Sequence, residues 1–385
     1  MSANEYYPNI NPTEPFYFNL KKKNGQVILH NGASTNHTHI MMTSVVLMRN
    51  CEHQGVIHVD GTYKLIKNRF PVIAIGITDI RGVFHLIAFC ITSNEEEVDF
   101  VEFFRGVSNL SEKMGIQFNP EFIMQDACQA GYNAAARIFP DAERLMCYFH
   151  VKMNIKKRYE KVLGREKWYE LNKFISRLHW SSSYKSFIAR WSNFKEQLPD
   201  DIVQYLENQW IFNIKFSKWQ IFNNNAGYAS TNSPIESFNA TIKRDFFMRV
   251  KLSVYGAVQK LGTIIRHYSI KEPIFNLIPK HDIKLNALAL KYRKKQFTTG
   301  SKKVSIFEAG RCHYIDIKRK SCDCKIFLKR AICVHTLGFS HSYELDWYSP
   351  VYDSRATEFS YKTKKGAPKG CREKKIKKAL QRCDE

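Results

Sequence analysis

Three acidic residues and one cysteine–histidine cluster hold most of the chemistry this sequence can offer. Asp60 closes a short apolar run (VIHVD, 56–60), Asp126 closes another (FIMQD, 122–126), and Glu236 stands at the start of a helical stretch that begins at Ser233. If the two runs are strands of one sheet, pairing can set Asp60 beside Asp126 however far apart they lie in the chain. Carboxylate oxygens suit hard cations such as Mg2+ or Mn2+. Two such ions about 3.5–4 Å apart can activate an attacking oxygen and stabilise a leaving one in phosphoryl transfer. Each acid also has an ordinary structural use. Asp60-Gly61 suits a type I′ hairpin turn, and Asp126 suits the N-cap of the helix after it. Glu236 fits a capping box with Ser233 as N-cap and Pro234 at the first helical position.

The second group is Cys322, Cys324, Cys333 and His335, spaced C-x-C-x8-C-x-H. Zn2+ takes four tetrahedral nitrogen or sulfur ligands, and Cys3His is a usual structural set. One pair on a strand and the other at a helix start would let all four converge. Such a site is closed, so the zinc expected here is structural. Residues 310–315 (GRCHYI) read as the leading strand, with Cys312 left over. A further pair, Cys147 and His150, stays ambiguous. Half a metal site, an imidazole that orients a phosphate or carboxylate, and a buried cysteine beside a helix-start histidine all fit it.

Elements must bring these residues together. Residues 56–60, 71–78 (PVIAIGIT) and 83–92 (VFHLIAFCIT) are consecutive β-rich runs with short links, which predicts an antiparallel meander. Residues 95–114 change to helical spacing, with Val98, Val101, Phe104, Val107 and Leu110 on one face. Then come a strand at 122–126, a helix at 130–139, a strand at 143–149 and a basic helix at 151–162. The order is βββ-α-β-α-β-α. Residues 163–230 hold Trp168, Trp180, Trp191, Trp210 and Trp219 at helical spacing and read as an all-helical insertion. A strong helix is expected at 233–249, further helices to about residue 295, and a β-like, Cys-rich segment at 300–340. The division expected is a lead-in (1–50), the first part of the core (51–162), the insertion (163–230), a late helical part (231–299), a finger (300–345) and a basic, disordered tail (346–385).

The chain has 385 residues, 44% of them hydrophobic, which is enough for a sizeable core and excludes global disorder. Its formal charge of +23 points to an anionic partner, nucleic acid first. No apolar run reaches membrane-span length, and the N-terminus lacks the layout of a signal peptide. A reducing compartment is therefore expected, where the ten cysteines serve as metal ligands or buried thiols and not as disulfides.

Six blocks carry a resemblance to a known family: HVDGTYKL (58–65), FPVIAIGITD (70–79), LIAFCITSNEE (86–96), MQDACQAGYNAA (124–135), CYFHVKMN (147–154) and TNSPIESFN (231–239). In this order they resemble the signature blocks of Mutator-like DNA transposases, over about residues 15–345. The resemblance implies an α/β fold, a five-stranded mixed sheet of the RNase H type with a helical insertion. It implies a catalytic triad of Asp60, Asp126 and Glu236 that binds Mg2+ or Mn2+, with Asp60 bridging both ions. The implied reaction frees a 3′-OH at the transposon end and uses it to attack target DNA. Cys147 and His150 match the family's C-x-x-H pair, and the C-terminal cluster is similar to a SWIM zinc finger.

Lys64, Lys243 and Arg244 lie near the acids in sequence and are expected phosphate contacts; Arg177, Lys185 and Arg190 could face DNA from the insertion. Self-association to pair two DNA ends and a nuclear location follow from the same likeness. The polybasic stretch 362–378 fits an import signal or a phosphate binder. Members commonly carry an N-terminal DNA-binding zinc module, for which the segment before Gly55 offers no cysteine pair; the module is lost or truncated, or end recognition lies elsewhere. Two rival readings remain: a domesticated DNA-binding regulator without catalysis, and a protein-interaction adaptor built on the SWIM finger.

Overall fold

In a computed structural model, residues 5–24, 26–28, 36–271, 273–300, 303–308, 310–345 and 347–348 are described. The basic tail expected at 346–385 lies almost wholly outside them. The meander forms as its pattern requires. Strands β3 (Val56–Thr62), β4 (Val72–Thr78) and β5 (Phe84–Thr92) pair antiparallel, with Asp60 opposite Ala74. β4 is buried along its whole length, as a central strand covered on both faces must be. Its side chains alternate between two cores. Ile73, Ile75 and Ile77 face one, together with helices α1 (Glu97–Lys113) and α2 (Gln129–Ile138). Val72 and Ala74 face the other, with α6 (Ser233–Thr241) and α7 (Val254–Lys271).

Two parallel strands complete the sheet beyond β3. β6 (Phe122–Gln125) lies parallel to β3, and β7 (Glu143–Met146) parallel to β6. The five expected strands are present, and the lead-in adds two more, β1 (Phe16–Phe18) and β2 (His39–Thr43). The sheet therefore has seven strands, in the order β1-β2-β5-β4-β3-β6-β7, and the RNase H-like arrangement stands with a longer edge. The lead-in is thus part of the sheet: Phe16 and Met41 are buried in the same core as α1.

The strand expected at 143–149 ends at Met146, because helix α3 (Tyr148–His179) already begins there. This helix runs far past residue 162 and breaks at Gly164, whose φ of 76° is a left-handed value that glycine tolerates. It leads into the insertion, with α4 (Tyr184–Lys195) and α5 (Asp200–Leu206). Trp168, Trp191, Trp210 and Trp219 pack this helical core. Trp180 stays outside it and stacks under the Lys325 ammonium, 5.0 Å from the ring centre. The helix expected at 233–249 is shorter: α6 ends at Thr241 and turns π-helical over Ile242–Phe246.

After α8 (Ile283–Ala289), four antiparallel strands follow: β8 (Phe297–Thr299), β9 (Lys303–Glu308), β10 (Arg311–Asp316) and β11 (Ser321–Cys322). Helices α9 (Lys325–Arg330) and α10 (Val334–Ser342) close the small finger. It docks on the body: Gly227 N–H donates to the Leu328 carbonyl at 3.2 Å. Among the described residues no helix is long and apolar enough to cross a membrane.

Candidate active site and metal centre

The parallel register of β3 and β6 decides where the first two acids go. His58 pairs with Met124, so two steps further along both strands lead to Asp60 and Asp126 at the same sheet edge. The carboxyl ends of parallel strands are where open α/β sheets place their sites. Asp60 lies within β3, not at its end, and Gly61 pairs with Ile73, so the hairpin-turn alternative is excluded. Asp126 accepts the Cys128 N–H at 3.2 Å, a local turn, while Cys128 itself stands at the N-cap of α2. Asp126 is therefore not the helix cap.

Glu236 arrives from the other side. The N-cap of α6 is Asn232, not Ser233, and no side-chain capping bond forms. Glu236 is thus free of the capping-box duty the sequence allowed. Its Oε1 is buried and has no hydrogen-bond partner. His150 Nε2 lies 3.6 Å from it, and His150 Nδ1 is likewise buried without a partner. Cys147, His150 and Glu236 lie close enough together to form a possible metal-ligand group.

The charges of the other two acids act on Asp60, although the three are not among the described groups whose ligand atoms all lie within 4.8 Å of one another. Burial pushes the Asp60 carboxyl up to about 7, against a 2.7 Å hydrogen bond from Asn239 that favours the carboxylate; the charges of Asp126, Glu236 and Glu95 add to the rise. Other acids in the core behave differently. Asp79 accepts from Arg81 N, Val83 N and Asn276 N at 2.9–3.0 Å, and His85 and Asn276 side chains also reach it. Burial raises its carboxyl, but these bonds prevail and hold it at about 2. Asp99 takes His37 Nδ1, His39 Nε2 and Thr92 Oγ1 on one oxygen and Glu96 N on the other, all at 2.7–2.9 Å. Those two are satisfied structural acids. Asp60 takes one side-chain bond, from Asn239, among the described residues, and Glu236 Oε1 takes none.

A clamp beneath the site was not visible in the sequence. His58 Nδ1 donates to Asn232 Oδ1 at 2.9 Å, and Thr78 Oγ1 meets His58 Nε2 at 2.9 Å. Asn232 N–H donates to Cys147 Sγ at 3.1 Å, and the Asn232 carbonyl accepts the Glu236 N–H at 3.0 Å. One asparagine so ties β3, the start of α3 and the start of α6. Burial pulls His58 down to about 4, so its imidazole is neutral near pH 7. Burial pushes the Cys147 thiol up to about 11, and its sulfur serves the Asn232 N–H as an acceptor.

The expected phosphate contacts divide. Burial lowers the Lys243 ammonium, and the charges that act on it are Asp60 and Lys64, so Lys243 lies within electrostatic reach of Asp60. Arg244 is fully exposed and engages Asp245 at 2.6 and 2.8 Å. Arg190 is exposed and donates to the Arg177 carbonyl at 2.7 Å and to Ser181 at 3.3 Å. A cleft that sequence reasoning missed opens beside Asp126, lined by Ala127, Asn154, Lys157, Arg158, Tyr205 and Trp210.

In the finger, Cys322 ends β11, Cys324 caps α9, and Cys333 and His335 open α10. All four are buried and their ligand atoms lie within 4.8 Å of one another, a geometry compatible with zinc. Cys324 N, Phe327 N and Thr336 N donate to the sulfurs at 3.4 Å. His335 turns Nδ1 toward Cys322 Sγ (3.5 Å) and Nε2 toward Glu308 Oε2 (2.8 Å). Glu308 is in turn held by Tyr292 at 2.7 Å. A carboxylate behind a ligand histidine fixes its tautomer. Cys312 is exposed on β10 and stands apart from the four.

Residues 56–154 match the family model described as the MULE transposase domain. The likeness to Mutator-like transposases therefore holds over this stretch, which includes Asp60, Asp126, Cys147 and His150 and stops before Glu236. No curated protein matches the chain.

Proposed function

We propose that this chain, whose residues 56–154 match the MULE transposase domain, is a metal-dependent DNA nuclease and strand transferase with Asp60, Asp126 and Glu236 as its triad. The observation that carries the reading is the parallel pairing of β3 with β6, which leads Asp60 and Asp126 to one edge, in charge contact with Glu236. The donor set suits a hard divalent ion in chemical type: three carboxylates, one of them with a buried oxygen that has no hydrogen-bond partner. Mg2+ or Mn2+ bound there supplies Lewis acidity at the scissile phosphate. Asn239 holds one Asp60 oxygen in place, and the Asn232 clamp holds the Glu236 turn against β3. Lys64 and Lys243 offer positive charge to the phosphate. Lys157 and Arg158 line the cleft beside Asp126 and offer a track for a DNA strand. Zinc at Cys322, Cys324, Cys333 and His335 would have a structural role, in keeping with a closed SWIM-type finger. A nuclear location and self-association on paired DNA ends belong to the same reading.

Purified chain with Mg2+ or Mn2+ and plasmid DNA tests it. Metal-dependent nicking or strand transfer supports the enzyme. Salt-sensitive DNA binding without cleavage would favour the regulator instead, and neither binding nor cleavage would leave the adaptor.

A further inference from the structure

The turn between β5 and α1 brings a fourth acid to the same edge of the sheet. The register runs Ile91 to Val72 and Val72 to Thr62, so the chain leaving β5 emerges beside the Asp60 end of β3. Glu95 lies in that turn. It lines one cleft together with Asp60, Gly61, Gln125 and Asp126, and Glu236 does not line this cleft. Its position is fixed from behind, since the neighbouring Asp99 carboxylate anchors the start of α1 to His37, His39 and Thr92. Tyr63, one residue past the end of β3, donates its hydroxyl to Glu95 Oε2. No described lysine, arginine or histidine forms an ion pair with Glu95.

Gly61 supplies the second, independent observation. A glycine inside a strand weakens it and often marks a close approach by another group. Gly61 does not have a positive φ, so its backbone conformation does not require glycine. A Cβ there would stand 2.2 Å from Glu95 Oε1 and 2.9 Å from its carboxyl carbon, so the Glu95 carboxylate would have to shift. The strand gives up a side chain beside Asp60, and the Glu95 carboxylate occupies the room.

We propose that Glu95 is a fourth carboxylate of the metal centre, offering an oxygen to the divalent ion that Asp60 and Asp126 hold, with Gly61 as the residue that admits it. This rests on the metal-dependent reading above and names a ligand that reading lacks. Four acids then serve the site, Glu95 on the Asp60–Asp126 side and Glu236 from α6.

Mn2+ binding, followed by the spin-resonance signal of the free ion, tests the assignment without reliance on turnover. The full zinc-loaded chain is compared with Glu95→Gln, Gly61→Ala, the double variant, Asp60→Asn, and Glu102→Gln as a surface control on α1. Glu95→Gln should weaken Mn2+ binding about tenfold or more, within the range seen when groups around a metal are removed. Gly61→Ala should do the same by displacing Glu95, and the double variant should be no weaker than the stronger single effect. Glu102→Gln should match the parent. If Asp60→Asn loses Mn2+ while Glu95→Gln binds as the parent does, Glu95 is no ligand and the triad reading stands. If the parent binds no Mn2+, or Asp60→Asn binds it unchanged, both readings fall together.

Discussion

Asn232→Ala should damage the site without touching any of its acids. His58 and Asn232 are both fully buried, and the bond between them is 2.9 Å long. The substitution deletes the only acceptor that His58 Nδ1 is given and also a donor 3.4 Å from the Val59 carbonyl, one residue before Asp60. A buried donor left unpaired costs about 1–3 kcal/mol, and the small void adds about 1 kcal/mol. Chemical unfolding should therefore show a loss of about 2–4 kcal/mol. The effect on chemistry should be larger than this suggests. Glu236 hangs from the Asn232 turn, and a misplacement of about 1 Å at a reacting centre can cost about 100-fold in rate. Metal-dependent DNA cleavage by the refolded variant is the assay, beside His58→Ala and the double variant. Because the two side chains share one bond, their stability effects should couple by at least about 0.5 kcal/mol. A stability change below about 0.5 kcal/mol with additive effects in the double variant would refute the clamp.

Three further outcomes are expected. The chain should hold about one zinc ion by elemental analysis, and Glu308→Ala should weaken zinc about 10–100-fold in a chelator competition, since its carboxylate orients His335. Burial pulls His179 down to about 4; because the folded value lies below the unfolded one near 6.5, its stabilising effect is complete above pH 6.5 and is lost as pH falls toward 4. That amounts to about 2 kcal/mol at pH 5, so unfolding midpoints at pH 7.5 and 5 should differ less in His179→Phe than in the parent. Arg158→Ala should lower the slope of log affinity for DNA against log salt by about one, whereas Lys185→Ala, on α4 and outside the residues that line the cleft beside Asp126, should leave it unchanged.

The sequence and the structure meet where the signal is periodic and part where it is not local. The apolar runs of β3, β4 and β5 are β-branched, so the meander could be read directly, although β3 runs two residues past Asp60, where the sequence pattern ends it. The strands of the lead-in are three and five residues long, and the longer one is buried throughout, so it carries no alternation to read. They form because Phe16 and Met41 find the α1 core. Glu95 stands in a run of three glutamates, 95–97, and nothing in such a run selects the one that turns inward. Asn232 and His58 are 174 residues apart, a pairing no spacing rule reaches. Glu308 precedes its histidine by 27 residues, and its role exists only once β9 lies beside α10. Arg244 illustrates the converse: it is near Glu236 in sequence, but its neighbour Asp245 takes its charge.

The central claim is that Asp60, Asp126 and Glu236 act as one metal-dependent centre for cutting DNA. Its most direct test is Mg2+-dependent nicking of DNA by the purified chain beside Asp60→Asn, Asp126→Asn and Glu236→Gln, each checked for native folding and zinc content. The account predicts nicking by the parent that chelation abolishes, and loss of at least about 100-fold in every variant. Nicking that survives all three substitutions, or a parent that binds DNA tightly and never cuts it, would contradict the account.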